Sequence, residues 1–351
     1  MKQGTTRRNF LALAGGAVGL SALSYYVGVT DRAVAVPDET LPDYADNGLG
    51  FPVFRAPYLQ KDAHLAAFLF NANIDRLTTL CDKTLNVSES SLYRYVPVSS
   101  SVMLVYADML VSSRDERDAQ VGLIPETEVG FWVLTIAMQK TRTGNVPHHL
   151  AWFLPYLLVD EGNSIAIGRE VFGFNKQAAQ FQKPAQIQQP EFTAQVLGFK
   201  EFNPQAIAQK ETLLTLTASS PEVSQPSDAD SLKNKIAAEL LKNARTDFGS
   251  GLVEFSSGFI NDQIPFVFLK QFRDAHDSRK ACYQKIIEAQ MKVESFYEGG
   301  AFLKAYTLNI AALASHPIAQ NLGLSAEQNS SLGAWMRVEF SLETTSRSED
   351  R

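Results

Sequence analysis

The sequence predicts a mainly antiparallel β fold of the α+β class, and three observations carry that reading. Near the far end Met336, Val338, Phe340 and Leu342 alternate with Trp335, Arg337, Glu339 and Ser341, the two-residue period of a half-buried strand. Similar runs recur at 101–110, 129–138, 151–158, 192–200, 211–217, 264–273, 282–294 and 302–310. Several are apolar on both faces, as in Val102-Met103-Leu104-Val105-Tyr106, which suits a barrel or stacked sheets rather than a sheet with one wet face.

In chain order, the first element is a leader. Thr5-Thr6-Arg7-Arg8-Asn9-Phe10-Leu11 sets paired arginines before an apolar run from Phe10 to Val29, and Ala33-Val34-Ala35 offers small residues for cleavage. This is the pattern of a twin-arginine signal peptide over 1–35, with a mature start at Val36. It predicts export across the cytoplasmic membrane, to the periplasm or its equivalent, with the twin-arginine machinery as partner. A retained N-terminal anchor is the alternative, since the run approaches the roughly 20 apolar residues that span a bilayer. The leader is net +3, so a chain of net −6 leaves about −9 in the remainder. That balance argues against nucleic acid or anionic lipid as a partner.

Residues 36–50 are rich in Pro, Asp and Gly and read as an extended arm, with one domain over 51–343 and a disordered tail over 344–351. Asn73 or Asp75 caps a helix running to Leu85, with Ile74, Leu77 and Cys81 on one side. A second helix, from about Ser231 to Ala244, places Leu232, Ile236 and Leu240 at four-residue spacing. It follows the polar linker 219–227, and the whole of 219–250 reads as an insertion. A shorter helix follows Pro317. A hydrophobic share of 45% with 22 Phe supports a large core. Cys81 and Cys282 are expected as buried free thiols, because a chain exported folded matures first in a reducing cytoplasm.

Several familiar sites are missing. The clustered glycines Gly15, Gly16 and Gly19 fall inside the leader, and there is no phosphate-cradling loop. Gly162-Asn163-Ser164 followed by Gly168 has the wrong spacing for a nucleophile elbow. His148-His149 lacks a nearby third ligand, so a surface loop pair is expected, with no metal and no other cofactor.

The informative stretch runs from Val159-Asp160-Glu161-Gly162-Asn163-Ser164 through Ile165-Ala166-Ile167-Gly168-Arg169-Glu170 to Val171-Phe172-Gly173-Phe174-Asn175-Lys176. It resembles the core motif of the acetoacetate decarboxylase superfamily, an acidic turn leading into A-x-x-G-R-E and then aromatic-Pro-Lys. Ala166 to Glu170 match, and Asn175 stands where the family has proline. Phe54-Arg55-Ala56-Pro57-Tyr58, the helix after Asn73, and Phe266 to Glu294 extend the resemblance over 51–343 apart from the insertion. The resemblance implies a cone-like β-barrel wrapped by further sheet and a few helices, and assembly as a homo-oligomer.

By the same resemblance Lys176 aligns with a Schiff-base lysine, and Glu128, in Thr127-Glu128-Val129-Gly130, with an active-site glutamate; Glu126 is a near competitor. A neutral amine condenses with a ketone, and the protonated imine then serves as an electron sink. A free lysine ionises near 10.4, so lowering it by three to four units needs about 4–5 kcal/mol of environmental bias. Phe172, Phe174 and Phe181 are candidates for that desolvation. The family's decarboxylases carry a second lysine after the first, where this chain has Gln177, and its substrate-facing arginine is replaced by Ala63 or His64. Gln177, Arg169 and Phe174 are the expected substrate-binding residues, although an Arg169-Glu170 pair equally suits loop organisation. The implied function is a Schiff-base lyase acting on a small keto acid or other small carbonyl compound, by decarboxylation or by aldol and dehydration chemistry. The alternative is a non-catalytic binding protein that keeps the pocket for an apolar or carboxylated ligand.

Overall fold

The computed structural model describes residue 44 and residues 54–87, 91–218, 224–242, 244–245 and 264–344. The leader, the arm apart from Tyr44, and the tail beyond Thr344 lie outside the described residues.

Among the described residues the first element is β1 (Tyr58–Asn71), then α1 (Ile74–Thr84), β2 (Tyr93–Pro97), β3 (Ser101–Ser113), the short α2 (Glu116–Ala119), β4 (Ile124–Thr141) and β5 (Gly144–Val159). It continues through α3 (Gly162–Val171), β6 (Lys176–Ala178), β7 (Gln180–Gln182), β8 (Phe192–Gly198), β9 (Gln209–Ala218) and β10 (Ser224–Pro226). Next come α4 (Ala229–Lys242), β11 (Phe266–Arg273), β12 (Ala281–Phe302) and β13 (Tyr306–Ile310). α5 (Ile318–Leu322), β14 (Glu327–Asn329) and β15 (Leu332–Thr344) complete it.

Pairing closes a ring in the order β1, β3, β4, β5, β11, β12, β15 and back to β1. Every joint is antiparallel except β5–β11. β11 covers only Trp152 and Phe153 of β5, and β6 takes the same role further along, parallel to Leu157–Val159. Lys176 therefore sits in the wall of the ring. A second sheet, in the order β14-β13-β9-β8-β7, packs on the outside.

This arrangement explains why strands such as β3 are apolar on both faces. Met103, Val105, Ala107 and Met109 point into the ring, whereas Val102, Leu104 and Tyr106 point outward to a second core shared with the outer sheet. Tyr106 meets the Phe192 ring at 5.3 Å. Each buried Val, Leu or Met among them contributes about 1.5–3 kcal/mol, so both faces of the ring are stabilised rather than one.

The helices follow their caps. Asn73 Oδ1 accepts from the backbone N–H groups of Asp75 and Arg76, and Leu77 and Cys81 are buried beneath α1. Leu232, Ile236 and Leu240 of α4 join the core inside the ring, and β10 pairs with β12. The described part of the segment expected as an insertion is thus built into the barrel. Cys282 corrects an expectation: it is exposed, because the β11–β12 hairpin runs past the core and its outer rungs face solvent on both sides. Both cysteines are free thiols, and burial pushes Cys81 far up. His148 and His149 lie on β5 rather than in a loop.

Candidate active site

In β4 the two-residue period turns Glu126 and Glu128 into the ring and Thr127 away from it. Thr127 anchors the strand from outside, its hydroxyl donating to Asp108 Oδ1 at 2.9 Å and its backbone N–H to Asp160 Oδ1 at 2.8 Å. The chain then enters α3, where Glu161 caps the helix by accepting the N–H of Ser164 at 2.7 Å. Ser164, Ile167 and Gly168, at spacings of three and four, face the cavity.

The glycines of the motif are delivery devices for Lys176. A Cβ on Gly168 would stand 3.0 Å from Cδ and Cε of Lys176, so the bare helix surface leaves room for the lysine stem. The Gly168 carbonyl accepts the N–H groups of Phe172, Gly173 and Phe174, which peels the chain off the helix. Gly173 has φ +87, and a Cβ there would approach Lys270 Cα to 2.5 Å. Asn175, in place of proline, donates to the Pro155 carbonyl at 2.7 Å and docks the segment beside β5.

Lys176 is 7% exposed. Its Nζ donates to Glu126 Oε1 at 2.7 Å and to Ser164 Oγ at 2.6 Å, and lies 3.8 Å from Glu128 Oε2. It also stands 5.5 Å from the centre of the Phe174 ring. Around this cluster the ring holds a partly open cavity of about 220 Å³. Its wall is mostly apolar, with Trp132, Trp152, Phe172, Phe174 and Phe266 among the lining side chains.

The electrostatics correct one expectation. Burial favours a neutral Lys176, but the charges of Glu126 and Glu128 outweigh it and hold the ammonium above its ordinary range. Burial likewise works to raise Glu126, yet the Lys176 ammonium and the hydrogen bonds from Lys176, Ser164 and Glu128 keep it below the usual carboxylate range. Glu128 goes the other way: burial first, then the negative charge of Glu126, against the pull of Lys176, push it up to about 8. At neutral pH the cluster is an ammonium, a carboxylate and a neutral acid.

Of the residues expected from sequence, Lys176, Glu128 and Phe174 meet at the cavity, with Phe172 beside them. Glu126, named only as a competitor, is the closest carboxylate to the amine. Two expected substrate-binding residues do not reach it. Gln177 follows Lys176 on a strand and so points to the opposite face, where its Oε1 is buried without a hydrogen-bond partner among the described residues. Arg169 follows Gly168 on a helix, about 100° further round, and is exposed. Phe181, on β7, packs against the outer core instead. Ser164 was missed; its signal lay in the Ser164-x-x-x-Gly168 spacing, visible only once 162–171 is read as helical.

The barrel and its site can be set beside known structures. The architecture is similar to that of acetoacetate decarboxylase from Legionella pneumophila, with a TM-score of 0.54 and 12% identity over 88% of this chain and 97% of that one. This chain has the acetoacetate decarboxylase fold. A second acetoacetate decarboxylase structure matches with a TM-score of 0.51 and 14% identity, over 89% of this chain and 93% of that one. The enduracididine biosynthesis enzyme MppR, with HEPES buffer bound, matches with a TM-score of 0.51 and 10% identity, over 84% and 89%. No protein-family model matches the chain, and no curated protein sequence does. At these identities the likeness to acetoacetate decarboxylase is one of fold, and the chemistry rests on the side chains this chain places in it.

Proposed function

We propose that the protein is an imine-forming enzyme of the lyase type, acting on a small carbonyl compound through Lys176. The observation that carries this reading is a buried amine within 2.7 Å of one carboxylate and 3.8 Å of a second, inside a largely apolar cavity. Its setting in the fold of acetoacetate decarboxylase and MppR supports the same class.

A protonated amine is not a nucleophile, so the proton must have somewhere to go as the carbonyl carbon arrives. Glu126 Oε1 receives it over a 2.7 Å hydrogen bond, and the freed lone pair attacks. The carbonyl oxygen becomes a hydroxyl by taking a proton from Glu128, which recovers one from the second N–H. Glu126 then returns its proton to the hydroxyl, which leaves as water, and the nitrogen lone pair completes the C=N bond. The product is an iminium cation facing one carboxylate and one neutral acid, the same charge as the resting cluster. A bond from the adjacent α carbon to the next carbon then breaks, its electron pair flowing to the iminium nitrogen while the departing carbon leaves as carbon dioxide or a carbonyl compound. The enamine is reprotonated at the α carbon, and water hydrolyses the imine to free Lys176.

No adjacent second cation is needed in this scheme: Glu126 and Glu128 supply proton transfer where Gln177 supplies no repulsion. Reductive trapping tests it. Carbonyl compounds incubated with the protein and reduced with borohydride should leave their mass on the peptide bearing Lys176. Tight binding without an adduct at that peptide would instead favour the non-catalytic binding reading, which the ion-paired state of the resting amine also supports.

We further propose export by the twin-arginine route. Replacing Arg7 and Arg8 together by lysine should hold the folded protein in the cytoplasm, as read by cell fractionation. Normal export of that variant would remove the proposal.

A further inference from the structure

The lining of the cavity is selective about charge. Among the described lining residues the cations are Lys176 and Lys233, and Lys176 is engaged by Glu126 and Ser164. Lys233 reaches the same cavity from α4. The position at which the resemblance led one to expect an arginine holds Ala63, which is buried, and His64, which faces Asp62 at 3.4 Å. A carboxylate attached directly to the reacting carbonyl would thus lie beside the Glu126 carboxylate and compete with it for the Lys176 cation, which disfavours binding.

The rest of the wall is selective about polarity. Gln60, two rungs along β1 from Tyr58, presents a neutral amide whose Oε1 is buried without a partner among the described residues. Apart from Lys233 and the Lys176 cluster, the other lining side chains are hydrocarbon, aromatic and thioether. The chain has six methionines, and four of them, Met103, Met109, Met291 and Met336, line this one cavity. They come from three strands of the ring. Unbranched thioethers adapt their shape to a flexible apolar guest, which is not the wall a three-carbon keto acid requires.

Size points the same way. A dry apolar cavity of about 150 Å³ takes benzene, so the 220 Å³ here corresponds to roughly nine non-hydrogen atoms by proportion.

Resting on the imine reading above, we infer that the substrate is an uncharged ketone or aldehyde carrying an apolar body of medium length. Its carbonyl meets Lys176, its body lies along the methionine-rich wall, and a hydroxyl or N–H group on it finds Gln60 Oε1.

The test is a chain-length series of methyl ketones, from butanone through hexan-2-one to octan-2-one and undecan-2-one, with pyruvate and acetoacetate alongside. Borohydride adducts at Lys176 are quantified by mass, and binding is followed separately by tryptophan fluorescence, since Trp132 and Trp152 line the cavity. Half-saturation should fall about fourfold per added methylene, about two-hundredfold from butanone to octan-2-one, and then level off. Pyruvate should trap less efficiently than butanone. Met103→Trp should move the levelling-off point to shorter ketones. Small keto acids trapping as well as octan-2-one, or an efficiency independent of chain length, would overturn the inference. The two readings fail separately: fluorescence-detected binding that rises with chain length but leaves no adduct would sink the imine mechanism and keep the apolar ligand.

Discussion

Lys176→Met is expected to abolish borohydride trapping with every carbonyl compound while costing about 3–5 kcal/mol of stability, the usual effect of breaking a buried ion pair. The loss of stability has a specific cause. Glu126 is 1% exposed, and without the ammonium its carboxylate is left among apolar side chains and the neutral Glu128. Glu126 then takes up a proton at neutral pH, which limits the damage but removes the base. Adding Glu126→Gln to Lys176→Met replaces the stranded carboxylate by a neutral amide and should recover most of the melting temperature. It should recover no adduct. A double variant that regained trapping would show that another amine does the chemistry; a single variant as stable as the parent would show that the pair is not the buried contact described here.

The second large effect is expected at Gly173, far from any reacting atom. Its φ of +87 is a conformation that side-chain-bearing residues rarely adopt, and a Cβ would stand 2.5 Å from the Lys270 backbone. Gly173→Ala therefore combines backbone strain of about 1–2 kcal/mol with overpacking of about 1–3 kcal/mol. The contact is with β11, so relief requires moving either that strand or the Phe174-Asn175-Lys176 segment. The melting temperature should fall by roughly 5–15 °C, at a few degrees per kcal/mol for a domain of this size. Trapping should weaken in the molecules that remain folded, because Lys176 lies three residues away. Unchanged stability together with unchanged trapping would mean that the turn does not set the position of the lysine.

Much of the barrel was legible where periodicity is clean. The alternation at 335–342 became β15, and the doubly apolar Val102–Tyr106 became a wall between two cores. β1 was not legible, because Asp62 takes φ 46 and the register shifts between Gln60 and Ala63, so the two-residue rhythm breaks inside the strand. α3 was read as a turn because Gly162, Asn163 and Gly168 are poor helix formers; its cap and its packing against Lys176 override that preference. Within the site, motif likeness located Lys176 and Glu128. The direction in which the amine titrates was not legible, because it depends on Glu126, fifty positions upstream, and on Ser164, and these converge only when the ring closes. Gln177 and Arg169 were misplaced for a simpler reason: each neighbours an inward-facing residue, and neighbours on a strand or helix face elsewhere.

The pH dependence of trapping at Lys176 tests the shared-proton cluster most directly. Glu128 keeps its proton until about pH 8, and that proton is the one given to the carbonyl oxygen. The rate of adduct formation with a neutral ketone should therefore decline as pH rises through about 8, and Glu128→Gln should remove that decline along with most of the rate. A rate that instead climbs steadily toward pH 10, as for a solvated lysine amine near its ordinary pKa of about 10.4, would contradict the account.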